Sequence, residues 1–207
     1  MNGSDANDRT GGETAADRAA EGWSPRDGPS LEVVVEAAAA ETTTAGQVTL
    51  DGVDRAERPG RICSVLVAVA DGPHSGATVD VAKRIAETTD AWVELFHVIS
   101  SDDAPERTET AVSENRTMDA RATGERLLAT AGARLGEFDR VDRWLVENDA
   151  VADAIVDQSP YYDLVVVGAP TAGTVGRLVF GSTTDAVVEQ ASVPVVVVEA
   201  DGSTSLT

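Results

Sequence analysis

Cysteine is nearly absent: Cys63 stands alone in 207 residues. No disulfide can close within the chain, and no zinc site can be built from cysteine. Lysine is just as scarce. Lys83 is the only one, and every other fixed cation is Arg. Aromatic residues make up 4% of the chain against 42% hydrophobic residues in all, so a core must come from Val, Ala, Leu and Ile. No run of about 18 apolar residues is present, which argues against a membrane-spanning helix. The N-terminal residues also lack the apolar stretch of a signal peptide. The expectation is a cytoplasmic chain with no direct membrane insertion. Basic clusters are missing too. The net charge is −20, so nothing could neutralise phosphates in number, and nucleic acid drops out as a partner. An acidic, lysine-poor surface suits a salt-loaded cytoplasm, where self-repulsion is screened over short distances. Composition therefore points to a halophilic, archaeal source. A basic partner is the weaker reading of the acidity, because the charge is spread along the whole chain.

What is present is alternation. Residues 1–28 read as a disordered acidic tail with Trp23 as their one large apolar residue. Residues 29–60 read as a linker with added strands: Leu31 to Glu36 as one, Gln47 to Leu50 as another. Regular order begins near Ile62. Strands are expected at Ser64–Val69, Trp92–Ile99, Val141–Val146, Leu164–Val167 and Val193–Val198. Helices are expected from Ser75, over Ser113–Gly136, from Asp149, and over Thr183–Ala191. The unbroken valine runs suit parallel strands buried on both faces, so the fold class is α/β. Residues 201–207 read as a tail. Leu31 to Ala37 echoes Pro194 to Ala200. The echo is either chance between two valine-rich strands or the last strand of a truncated earlier copy.

The richest stretch runs from Gly168 to Thr183. A β-branched strand ends at Gly168, a glycine-bearing loop follows, and Gly181-Ser182 opens a helix. Strand, glycine loop, helix is an arrangement that gathers backbone N–H groups around a phosphate.

Ile62 to Ile99 (Ile-Cys-Ser-Val-Leu-Val-Ala-Val-Ala-Asp-Gly-Pro-His-Ser through Glu-Leu-Phe-His-Val-Ile) resembles the first half of a universal stress protein domain. Tyr162-Asp163-Leu164-Val165-Val166-Val167-Gly168 and Gly181-Ser182-Thr183-Thr184-Asp185 through Val193-Pro194-Val195-Val196-Val197-Val198 resemble the second. The resemblance covers about residues 61–200. It implies a five-stranded parallel sheet in the order 3-2-1-4-5, helices on both faces, of the adenine nucleotide alpha hydrolase-like kind. It implies a ligand in the crevice where that order reverses, between the first and fourth of these strands. The residues it nominates there are Val69, Ala70, Asp71, Val98, Val167, Gly168, Ala169, Thr171, Gly181, Ser182 and Thr183. ATP-binding members carry Gly, two residues, Gly, nine residues, then Gly-Ser or Gly-Thr. Gly168 and Gly181-Ser182 fit, but Thr171 stands at the middle glycine, where a side chain hinders close backbone approach. The family Asp directly after the first strand is Ala70 here, with the carboxylate one place on at Asp71.

Each candidate has a plainer reading beside it. Gly181-Ser182, Thr183 and Thr184 serve equally as helix caps. Asp71 followed by Gly72-Pro73 makes an ordinary turn. His74 reads as an exposed turn residue, and His97 as a core or edge histidine. Cys63 reads as a small apolar residue with an inert thiol. Neither histidine has metal-site spacing, and no structural metal is expected. No P-loop, nucleophile elbow or nominated carboxylate pair supports an enzyme.

Three functions therefore compete. The first is a non-enzymatic stress or regulatory module holding ATP or AMP. The second is an interaction module of the same fold without nucleotide, of the kind that accompanies salt-adapted archaeal transporters. The third is a slow ATP hydrolase. Family dimers join through the last strand, so a homodimer through Val195–Val198 is expected alongside a protein partner.

Overall fold

The structure is a computed structural model that describes residues 28–56, 61–100, 110–169, 182–202 and 204–206. Thr171, Gly181 and residues 1–27 of the tail expected over 1–28 lie outside these residues. In chain order the elements are α1 (Leu31–Glu41), β1 (Ala45–Asp51), β2 (Ser64–Ala68), α2 (Ser75–Thr89), β3 (Trp92–Ile99), α3 (Thr110–Leu135), β4 (Val141–Glu147), α4 (Val151–Gln158), β5 (Leu164–Gly168), α5 (Ser182–Gln190) and β6 (Val195–Ala200). Short 3-10 turns at Val53–Arg55 and Ser159–Tyr161 join them.

The sheet has six strands rather than five, in the order β1-β6-β5-β2-β3-β4. That corrects both the strand count and the expected order of the whole sheet. The five strands from β2 to β6 are mutually parallel, and β2 lies between β3 and β5. The sixth strand, β1, runs antiparallel along β6, with Val48 opposite Val198 and Leu50 opposite Val196. The expected strand at Gln47 to Leu50 is therefore present, and it lengthens the sheet.

Leu31 to Glu36 is not a strand. It opens α1, whose buried residues Leu31, Val34, Val35 and Ala38 follow a helical period. Read only to Glu36, the three valines look extended. Read through Ala37–Ala40, strong helix formers, the helical period wins. The echo of Pro194 to Ala200 is thus a likeness of composition between a helix and a strand, and the truncated-copy reading falls.

Strand alternation sorts the side chains into two layers. Val65, Val67, Val93, Leu95, Leu164, Val166, Val196 and Val198 face α1, α2 and α3. Leu66, Phe96, Val98, Val165, Val167, Val195 and Val197 face α4 and α5. The central valines are fully buried, which is why they read as continuous apolar runs.

The N-terminal elements clasp the sheet edge. Thr44 Oγ1 donates to Asp80 Oδ2 at 2.8 Å on one face. On the other, Arg55 donates to the carbonyls of Val188 (2.7 Å) and Ala191 (3.2 Å), at the C-terminal end of α5, where a cation is favoured. β6 is thereby paired on both sides within one chain. The edge along Val195–Val198, where a homodimer is expected, is taken within this chain by β1. Among the described residues no helix is long and apolar enough to cross a membrane.

Candidate functional site

The register sets the site. Val67 pairs with Val166 and Ala68 pairs with Phe96, so β2 and β5 end within about a residue of each other and β3 runs on to Ile99 beside the exit of β2. Their exits gather Val69, Val98, Val167, Gly168 and Ala169 at one end of the sheet. Val69, Val98, Val167 and Ala169 are buried there, Gly168 is half-buried, and Ala70 and Asp71 are exposed on the turn that follows. Strand order reverses between β2 and β5, and α2 and α5 pack on opposite faces of the sheet, the arrangement that sets a ligand crevice in open α/β sheets.

Two side chains fix that end of the sheet. His97 Nδ1 lies 2.7 Å from the Val69 carbonyl, which can only accept. The ring therefore carries its proton on Nδ1 and donates it, holding the carbonyl that precedes Ala70. Thr184 Oγ1 donates to the Gly168 carbonyl at 3.1 Å and ties the first turn of α5 to the end of β5. Of the four hydroxyl and glycine positions read as caps or phosphate contacts, Thr184 is thus committed to the fold, and Ser182 and Thr183 remain exposed. Gly168 has no positive φ; its reason is space. A Cβ there would stand 2.9 Å from Thr78 Oγ1 and 3.4 Å from His74 Cβ. The strand exit is glycine because α2 packs directly upon it.

His74 is buried, not exposed as the turn chemistry around it predicts. It caps the start of α2, and its Nδ1 accepts the Ala200 N–H at 2.9 Å. That bond requires a bare Nδ1, so the imidazole is neutral. Burial holds its pKa below the usual histidine value, and the charge of Glu199 opposes this only in part. The unfolded chain then binds more protons than the folded one just below pH 6.5, so stability is full above that pH and declines as pH falls. Denaturant unfolding from pH 8 to 5 should show this decline, and His74→Asn, which keeps an acceptor, should flatten it; parallel curves for both proteins would refute the assignment.

The C-terminal segment reaches the same region. Thr204 accepts the Gly76 N–H on its carbonyl at 2.7 Å and the Ala77 N–H on its Oγ1 at 3.0 Å. These are orphan donors of the first turn of α2. Leu206 is buried in the core beyond, so residues expected as a plain tail are packed. Sequence patterning gave no sign of this, since a lone Thr and Leu after a Gly-Ser stretch have no periodicity.

Cys63 is exposed rather than apolar in setting, and Arg61 Nε donates to its Sγ at 3.2 Å. Among the described residues no group of His, Cys, Asp and Glu could hold a metal. A cavity of about 150 Å³ lies at the other end of the sheet, between Leu31, Val34, Ile62 and Thr89.

A family model described as the universal stress protein family matches residues 63–199. A universal stress protein of Mycolicibacterium smegmatis is 34% identical over 142 residues, covering 66% of this chain and 48% of the relative. The chain thus spans about half the length of the curated relative it matches. Among solved structures, a universal stress protein from Archaeoglobus fulgidus superposes with a TM-score of 0.51 at 19% identity, over 67% of this chain and 94% of that one. A universal stress protein in complex with cAMP gives 0.52 at 22% identity, over 68% and 99%. A functionally unknown protein, PA1789 of Pseudomonas aeruginosa PAO1, gives 0.55 at 18% identity, over 74% and 52%. At these identities the likeness is one of fold.

Proposed function

This chain belongs to the universal stress protein family, and from that premise we propose that it is a non-enzymatic regulatory module taking an adenine nucleotide, ATP or AMP, at the β2/β5 crevice. The observation that carries the reading is the anchored α5 terminus. Thr184 holds the first turn of α5 against Gly168, so Ser182 and Thr183 present exposed hydroxyls beside the strand end. The positive end of a nine-residue helix then faces the crevice. The donors fit a phosphate, and the buried Val69 and Val98 supply an apolar wall. A related fold in complex with cAMP makes adenine nucleotides the ligand class to test first.

Ala70 supports the runner-up, an interaction module without nucleotide. No carboxylate stands directly after β2 to read a ribose or base. Absence of a P-loop and of a nominated base supports the non-enzymatic reading over a slow ATP hydrolase. The acidic, lysine-poor surface supports work in concentrated salt inside a halophile.

Equilibrium binding of labelled ATP and AMP at high salt tests the proposal. Binding near 10 µM, about 7 kcal/mol, is expected, and Ser182→Glu should abolish it. That residue is exposed, and a carboxylate at a helix N-terminus is tolerated by the fold while repelling phosphate. No binding to the parent protein, or binding indifferent to Ser182→Glu, would overturn the crevice assignment. Release of inorganic phosphate above background would overturn the non-enzymatic part. Sedimentation of the same samples reads the oligomeric state; two copies that associate by strand pairing must use the outer edge of β1 or of β4.

A further inference from the structure

On the face that carries α4 and α5, alternation along β3 points Trp92, Glu94 and Phe96 the same way. The parallel register sets Asp142 beside Glu94 and Trp144 beside Phe96. Phe96 belongs to the core layer under α4 and α5, together with residues of β2, β5 and β6. The edge of that layer is uncovered. Trp92 is 43% exposed and Trp144 41%. The Trp144 ring meets Phe96 edge-on at 5.5 Å between centroids. The chain has only three Trp, two Tyr and three Phe. Two of the Trp, one Tyr and one Phe come together here.

The charges on this face are one-sided. Glu94 and Asp142 are neighbours on adjacent strands, an arrangement that destabilises a sheet when both are ionised. Tyr162 hydrogen-bonds to Glu94, and it too offers no positive charge. Burial, then Asp142, pushes the Glu94 carboxyl up. The Tyr162 hydroxyl is pushed up to about 12 by burial and by both carboxylates. Among the described residues no ion pair involves Glu94 or Asp142. Arg140, close in sequence to Asp142, is turned to Asp90 at 3.0 Å and to the Ala91 carbonyl at 3.4 Å. The face thus holds two carboxylates between two exposed indoles. Indole faces attract cations, and the planar guanidinium both stacks on them and pairs with carboxylates. The surface lies at the sheet edge formed by β4 and its neighbour β3, which suits side chains presented by a macromolecule.

We propose that the β3/β4 face formed by Trp92, Glu94, Asp142 and Trp144 is a docking surface for a basic segment of a partner protein, whose Arg side chains stack on the indoles and pair with the two carboxylates. This inference does not depend on the crevice or on nucleotide. Nucleic acid is disfavoured by the sign of the charge, as is an anionic lipid surface.

The test uses the isotope-labelled full chain and a short synthetic peptide of alternating Arg and Leu, with a Glu-Leu peptide as control. Binding is followed by amide shifts and indole fluorescence in roughly 0.15 M and roughly 1 M salt. Shifts confined to β3, β4 and Tyr162, persisting at the higher salt, are the expected result. The paired change Glu94→Gln with Asp142→Asn should weaken binding at least about tenfold, as should Trp144→Ser. The first pair removes charge without volume, so it keeps the test valid if the Trp144 variant does not fold. Shifts scattered over the whole acidic surface, or affinity indifferent to the Glu94/Asp142 pair, would overturn the proposal. So would equal binding of the Glu-Leu peptide. A concentration-dependent dimer lost with Trp144→Ser would also overturn it, by giving the face to a second copy.

Discussion

Asp163→Ala loses about 3 kcal/mol of stability in denaturant unfolding at high salt, the largest loss expected from any single polar side chain here. Asp163 Oδ2 accepts three hydrogen bonds: from the Cys63 N–H at 2.8 Å, the Ser64 N–H at 3.0 Å and the Ser64 hydroxyl at 3.1 Å. In return the Asp163 N–H donates to the Ser64 carbonyl at 3.1 Å. This knot lies where β2 and β5, the two central strands, begin. Hydrogen bonds to a charged acceptor are worth more than neutral ones, about 1.5–3 kcal/mol each, and their loss leaves backbone donors of β2 unpaired. Asp163→Asn keeps one acceptor oxygen and should lose only about 1 kcal/mol. If the alanine variant falls within about 0.5 kcal/mol of the parent, the knot is not a determinant of the fold.

The second large effect is at Gly76. A Cβ on this residue would stand 2.3 Å from the Thr204 carbonyl, closer than any side chain tolerates, and the obstacle is backbone. Gly76→Ala must therefore push residues 204–206 away. The cost combines two capping bonds of about 1 kcal/mol each with exposure of Leu206, about 2 kcal/mol. Alanine returns about 1 kcal/mol through its helix propensity. A net loss of about 3 kcal/mol is expected, together with C-terminal residues newly open to carboxypeptidase. Leu206→Ala should imitate the stability loss without the helix gain. A Gly76→Ala protein as stable as the parent, its C-terminus still protected, would mean that the segment does not cap α2.

Much of the fold was legible because of how parallel strands are buried. Ser64–Val69, Trp92–Ile99 and Leu164–Val167 match observed strands to within a residue or so, since both faces of such strands demand apolar side chains. Leu128, Ala131 and Leu135 mark the buried stripe of α3 for the same kind of reason. The failures share a cause as well. Leu31 to Glu36 was ambiguous over so short a window, and only the alanines beyond it and the contact with α2 settle it as helix. His74 was misplaced because a Gly-Pro turn looks exposed, whereas the end of β6 folds over it. At the crevice, Gly168 was found from the glycine-loop pattern, while the approach of α2, which no local pattern records, adds a packing constraint there.

By itself the sequence determined the alternation of helices and parallel strands, the acidic surface and the glycine-bearing exit of β5. These follow from side-chain period and charge, which are properties of neighbours along the chain. Only the tertiary structure decided that β1 closes the outer edge of β6, that His97 and Thr184 hold the two lips of the crevice, and that Thr204 caps α2. Each of these joins residues far apart in sequence through one or two hydrogen bonds or a strand pairing, and such contacts exist only once packing has brought the partners within about 3 Å.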